Sequence, residues 1–143
     1  MPTASYVKIP AAIEDIVETG NMATDTWAIA LTNTVPGSKV FTTGTTDLTT
    51  AGGYTAGGNT VAVSSSGMNG SDFVLVLADP TVWTATTGFT FRYALLVNKT
   101  VLNGANGTTL GYWDYGSSQV VAASETVTVD LDQTATVGVF KIT

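Results

Sequence analysis

The strongest pattern along the chain has a period of two. Phe89, Phe91, Tyr93, Leu95 and Val97 alternate with Thr90, Arg92, Ala94 and Leu96. This predicts a strand with the first set on one face, and Leu96 on the other implies that part of that face is covered too. Residues 126–131 set Val127, Val129 and Leu131 against Thr126, Thr128 and Asp130. Residues 137–142 set Val137, Val139 and Lys141 against Gly138, Phe140 and Ile142, which reads as a strand covered on both sides. Further strands are predicted at 26–32 (TWAIALT), 60–65 (TVAVSS), 73–77 (FVLVL) and 110–115 (LGYWDY). Gly, Asn and Ser punctuate them at 67–70, 103–107 and 116–118. Short strands at this spacing, rich in Thr, Val and Tyr, predict an all-β chain. The expected fold is an antiparallel β-sandwich, jelly-roll-like or immunoglobulin-like, with its strand order open.

Two stretches break the pattern. Residues 10–18 (PAAIEDIVE) place Ala12, Ile13, Ile16 and Val17 at helical spacing. Pro10 suits a first turn, Glu14 and Asp15 would sit early against the positive end of the helix dipole, and Gly20 follows as a stop. Together with the strand-like SYVKI before it, this short helix could form an N-terminal arm that orders on a partner. Residues 34–59 are rich in Thr and Gly and poor in large apolar side chains. A long structureless loop is unusual in a compact domain, so this one is expected to reach a neighbour, with an edge strand at 40–43. The 143 residues are most simply one domain, with residues 1–20 and 34–59 as its appendages.

Composition narrows the chemistry. The chain has no Cys and no His, which removes disulfides, thiolate metal sites, a Cys nucleophile and a Ser-His-Asp triad. Five basic residues (Lys8, Lys39, Arg92, Lys99 and Lys141) stand against 11 acidic ones and form no cluster. Nucleic-acid binding needs a basic footprint, and none is visible. No run of about 20 apolar residues exists, so no membrane-spanning segment is expected. The N-terminus lacks a basic start followed by an apolar run and does not read as a signal peptide. Charged residues make up 11% of the chain, far below the usual quarter, which fits either a Thr-rich β-domain or a surface covered by a partner.

The candidate chemical groups are few. Asp130 and Asp132, two apart on one strand face, could supply two oxygens to a Ca²⁺ site, but no DxDxDG loop accompanies them. Glu14, Asp15 and Glu18 lie on or near one helix face; Glu14 and Glu18 could flank a substrate, but a first-turn dipole role suffices. AGGYTAGGNT (51–60) has the glycines of a phosphate cradle without GxxxxGK[ST] and reads as tight turns around Tyr54. No carboxylate pair stands out as a glycosidase pair. These readings leave no catalytic residue, no metal site and no cofactor.

LGYWDYGSS (110–118) concentrates aromatics around an acid. A period of two separates Trp113 and Tyr115, facing the core, from Tyr112 and Asp114 on the other side. Arg92, the only arginine, is expected to pair across the sheet or with a neighbouring subunit, with Asp114 or Asp79 as partner. A sugar-stacking surface would use Tyr112, Trp83 or Tyr54 as its platform.

The pieces YVKIPAAIEDIVE, AIALTNTVPG, GYTAGGNTV, VLADPTVW, FRYALLVN, GYWDYGSS and ETVTVDLD occur in this order. The string resembles a group of small tailed-bacteriophage virion proteins, often encoded beside the major capsid protein, and the likeness covers nearly the whole chain. The resemblance implies a non-enzymatic capsid decoration or cement protein. It would be a homotrimer bound to the major capsid protein on the outer surface of the virion, made in the host cytoplasm, without nucleic-acid or membrane contact. A tail or fibre component, with a carbohydrate-binding module touching the host surface, is the alternative. Tyr6, Lys8, Ile9, Ile13 and Ile16 of the arm and Thr42, Thr45 and Tyr54 of the loop are the expected partner contacts, and Arg92 with Asp114 an inter-subunit ion pair. On this reading, removing residues 1–18 leaves the sandwich folded and weakens particle binding.

Overall fold

A computed structural model describes residues 3–103 and 106–143 of the chain. Strand accounts for 45% of the chain and helix for 7%, so the fold is all-β. The strands are β1 (Ser5–Lys8), β2 (Trp27–Thr32), β3 (Val40–Phe41), β4 (Asn59–Val61), β5 (Val63–Asn69), β6 (Asp72–Leu77), β7 (Trp83–Thr84), β8 (Phe89–Asn98), β9 (Gly107–Val121), β10 (Thr126–Val127) and β11 (Phe140–Ile142). The helix α1 spans Pro10–Thr19. All described pairings are antiparallel. One sheet runs β1-β9-β8-β2-β4, with β3 also on β9; a second runs β11-β6-β5, and β10 pairs with β7. The chain from β4 into β5 leaves the large sheet for the small one, which ties the layers together at that corner. Between the layers, Trp27, Ile29, Leu31, Leu96 and Leu110 of the large sheet share one apolar cluster with Leu75, Leu77, Val129, Leu131 and Phe140. This is the sandwich-like arrangement that two half-apolar sheets need.

The alternation in β8 differs from the sequence expectation. Phe91 faces the main cluster, whereas Leu95 and Val97 join Ala30 and Phe41 in a second cluster. The reason is a break in the ladder. Phe91 pairs with Gln119 and Tyr93 with Asp114, so Arg92 alone stands opposite Tyr115, Gly116, Ser117 and Ser118. An irregularity of this kind shifts the alternation, and beyond it Ala94 and Leu96 point into the main cluster. The predicted breaks at 67–70 and 116–118 lie largely inside β5 and β9. The break at 103–107 includes residues 104 and 105, outside the described residues. Only Thr126–Val127 of the predicted 126–131 strand is laddered. Val129 and Leu131 are still buried, and the Leu131 amide donates to the Asp79 carboxylate.

The N-terminal segment is part of the body, not an arm. β1 pairs with β9, and the Ile9 amide donates to the Leu110 carbonyl. Ala12 and Ile16 of α1 enter the main cluster, and the Gly20 amide closes the helix on the Ile16 carbonyl. Glu14 and Asp15 fall beyond the first turn, so the predicted dipole role is absent. Asp15 instead accepts from Lys39 and Asn103. Residues 34–59 are also held down. Phe41 and Tyr54 are buried, and Ala51 and Tyr54 exchange backbone hydrogen bonds around the Gly52-Gly53 turn. The buried Asp47 carboxylate accepts from the Gly44 and Gly57 amides and the Tyr54 hydroxyl, each at 2.6 Å. Among the described residues, no helix is long and apolar enough to cross a membrane.

Candidate functional site

The residues expected to touch a partner do not share one surface. Ile9 (8% exposed), Ile16 (1%) and Tyr54 (1%) are core residues, which removes them from any contact face of the folded chain. Tyr6 and Ile13 are half-buried against the same core. Lys8 is exposed, with its ammonium 5.9 Å from the centre of the Phe140 ring. Thr42 is half-buried and its carbonyl accepts from the Thr45 and Thr46 amides, while Thr45 is exposed. The two segments that carry these residues do meet. Asp15 of α1 binds Lys39, which precedes β3, and Asn103. The Phe41 amide donates to the Asn103 carbonyl. At this junction Val40 is 42% exposed and Leu102 61% exposed. Neither stood out in the sequence, because a single apolar residue beside a turn carries no periodic signal.

Arg92 and Asp114 form a two-pronged ion pair within one chain, Nε to Oδ1 at 2.9 Å and Nη2 to Oδ2 at 3.0 Å. The inter-subunit role is therefore corrected, and Asp79 is committed to Leu131. The Gly116 amide also donates to Asp114 Oδ1, and Gly116 takes a φ of 79°, which a side chain would resist. Arg92, Asp114 and Gly116 thus fasten the break in the β8–β9 ladder, and the guanidinium lies 5.1 Å from the Tyr93 ring centre. The Arg92 guanidinium, then the Gly116 amide, hold the Asp114 carboxyl below the usual range. Lys39 lowers Asp15, and Thr134 lowers Asp132.

These shifts fix the form of the pH dependence. A carboxyl lowered in the folded state stabilises the fold fully above the ordinary carboxylate range, and that contribution is lost as pH falls through the lowered value. The phenols of Tyr6, Tyr54 and Tyr115 are raised, first of all by burial. Their contribution is full below the ordinary phenol value of about 10 and is lost as pH rises towards the raised ones. With no His and no Cys, no side-chain type in the chain has its ordinary pKa in between. The urea midpoint is therefore expected to stay level from about pH 5 to about pH 9 and to fall on both sides. A slope across pH 6 to 7 would contradict this account.

LGYWDYGSS contributes to a cleft of about 780 Å³. The register sets Tyr6 of β1 opposite Trp113 of β9, with ring centres 5.0 Å apart. Tyr115, two residues along β9, lines the same cleft and is braced edge-on by Phe91 at 5.6 Å. The opposite side is residues 126–132, where Val129 and Leu131 turn into the core and Thr126, Thr128, Asp130 and Asp132 remain exposed. Gly111 makes the aromatic side possible. A Cβ there would lie 2.3 Å from the Tyr6 hydroxyl and 2.6 Å from the Val7 carbonyl oxygen. The platform expected from sequence is not formed. Trp83 and Tyr54 are buried against each other, and Tyr112 packs edge-on to Tyr93. Asp132 is engaged by the Thr134 amide and hydroxyl. Among the described residues, no three acidic groups gather to hold a metal ion. Comparison with protein-family models, curated proteins and solved structures finds no match to this chain.

Proposed function

We propose that this chain is a non-enzymatic virion structural protein that decorates and cements the outer surface of a tailed-phage capsid, as a homotrimer on the major capsid protein. The observation that supports the reading is the junction of α1, β3 and the segment before Asn103. It presents Val40 and Leu102 to solvent, and Asp15 and Lys39 beside them are already paired with each other. An apolar centre with few free charges and a hydroxyl-bearing surround is the make-up of a protein interface core, because an unpaired charge there costs more to desolvate than a hydroxyl that finds a partner. Repetition around a cyclic trimer multiplies a modest contact through effective concentration. Binding to assembled shell, and not to free coat subunits, then stabilises the shell by mass action.

The test is co-sedimentation with shells that lack the protein, followed by heating. The expected result is saturable binding and a higher shell disruption temperature. The double substitution Val40→Asp, Leu102→Asp should weaken binding by about tenfold or more, while both exposed positions leave the fold intact. Binding unchanged in this variant removes the junction as the contact. Absence of any binding to shells removes the capsid reading and leaves a tail or fibre position.

A further inference from the structure

The cleft between the β1–β9 aromatics and residues 126–132 is a built recess that the capsid reading does not use. Three rings form one side. Tyr6 and Trp113 are cross-strand neighbours, and Tyr115 follows Trp113 on the same pleat face. Each ring is braced: Tyr6 against Trp113, Tyr115 against Phe91, and the Tyr6 hydroxyl seated over Gly111. The other side offers the hydroxyls of Thr126 and Thr128 and the carboxylates of Asp130 and Asp132. Among the described residues, no Lys or Arg lines it.

The lining chemistry selects the ligand. Carboxylates without a cation repel anions, which disfavours nucleic acid, acidic peptides and uronic or sialylated glycans. The same carboxylates want hydrogen-bond donors, and the aromatic faces want a flat C–H surface. A neutral sugar ring carries both, with hydroxyls on its rim and C–H groups on its face. Apolar and aromatic walls with a few convergent polar groups are also the usual make-up of a small-ligand site. We propose that this cleft binds a neutral saccharide, with Trp113 and Tyr115 as stacking platform and Asp130 and Asp132 as hydroxyl acceptors. The site differs from any based on Trp83, Tyr54 or Tyr112, which the fold uses elsewhere.

The test uses the isolated full chain without shells, so its outcome is independent of the capsid reading. Trp27 and Trp83 are buried and Trp113 is the half-buried tryptophan, so ligand-dependent emission reports on the cleft. A panel of neutral glycans is screened, and each responding glycan is titrated by emission and calorimetry beside hexalysine and a polygalacturonate oligomer. The expected result is saturable binding of at least one neutral glycan, with a Kd of about 0.1–1 mM, and none of the polyanion. Asp130→Ala, at an exposed position, should weaken it about fivefold or more, and Trp113→Ala should abolish it by calorimetry. Circular dichroism checks that both variants are folded. Should Trp113→Ala fail to fold, Tyr115→Leu replaces it as the stacking variant, with the same loss expected. The proposal is overturned if no neutral glycan binds, if hexalysine alone binds, or if binding survives both Asp130→Ala and the folded stacking variant.

Discussion

Asp47→Ala is expected to lower the stability of the fold by about 3–5 kcal/mol, the largest effect of any single polar substitution in the chain. The carboxylate is 5% exposed and accepts three hydrogen bonds at 2.6 Å, from the Gly44 amide, the Gly57 amide and the Tyr54 hydroxyl. Its removal leaves donors buried without a partner, and each such loss costs about 1–3 kcal/mol. The Tyr54 hydroxyl in turn accepts from the Leu31 amide, at the end of β2. The network therefore pins residues 44–57 to β2 of the large sheet, where the Leu48 amide also donates to the Leu31 carbonyl. Domains of this size hold about 5–15 kcal/mol in total, so the variant should lose a large share of its stability. Tyr54→Phe should cost less, about 1–2 kcal/mol, since it keeps the ring stacked on Trp83 and removes only the hydroxyl. Urea unfolding of the two single variants and the double variant checks this. If Asp47→Ala shifts the transition by under about 1 kcal/mol, the segment is not held by this carboxylate.

That network also marks where the sequence stopped being readable. Most strands were legible from alternation or short apolar runs, and β2, β6 and β8 lie where these put them, while β9 runs past the predicted 110–115 and through the break expected at 116–118. Residues 34–59 have no such period. Phe41, Asp47 and Tyr54 are isolated anchors in a Thr/Gly background, so the stretch read as a loop free to reach a neighbour. The face reversal in β8 was hidden for a different reason. FRYALLVN departs from alternation at Leu96, but nothing in it marks a break at Arg92; the irregularity arises from the extra residues of β9, which face Arg92 only after pairing. The Arg92–Asp114 pair was within reach, because the only arginine and an acid on neighbouring strands are natural partners. The cleft was half legible. The Trp113/Tyr115 face followed from the period, but Tyr6 and residues 126–132 reach it through long-range pairing and packing.

The N-terminal segment offers the sharpest contrast between the two readings of this chain. As an arm, residues 1–18 could be removed without harm to the sandwich. As the structure places them, removal should abolish cooperative folding. Ile9, Ala12 and Ile16 are within the main cluster, and β1 covers the edge of β9 from Gly111 to Asp114. Loss of each buried isoleucine alone costs about 2–4 kcal/mol, and the exposed β9 edge adds an unpaired ladder. Point variants separate burial from bulk deletion. Ile16→Asp forces a charge into the core at 1% exposure and should cost about 4 kcal/mol or more. Val17→Asp, one residue on and 61% exposed, should change stability by no more than about 0.5 kcal/mol. Thermal unfolding of the three variants decides. A truncated chain that keeps a cooperative transition but no longer binds shells would restore the arm. Unfolding of the truncated chain and Ile16→Asp, with Val17→Asp intact, means that the helix is a structural part of the sandwich. Any capsid contact near it must then run through its exposed side and the Val40–Leu102 junction, because the apolar residues that an arm would have offered are already spent on the core.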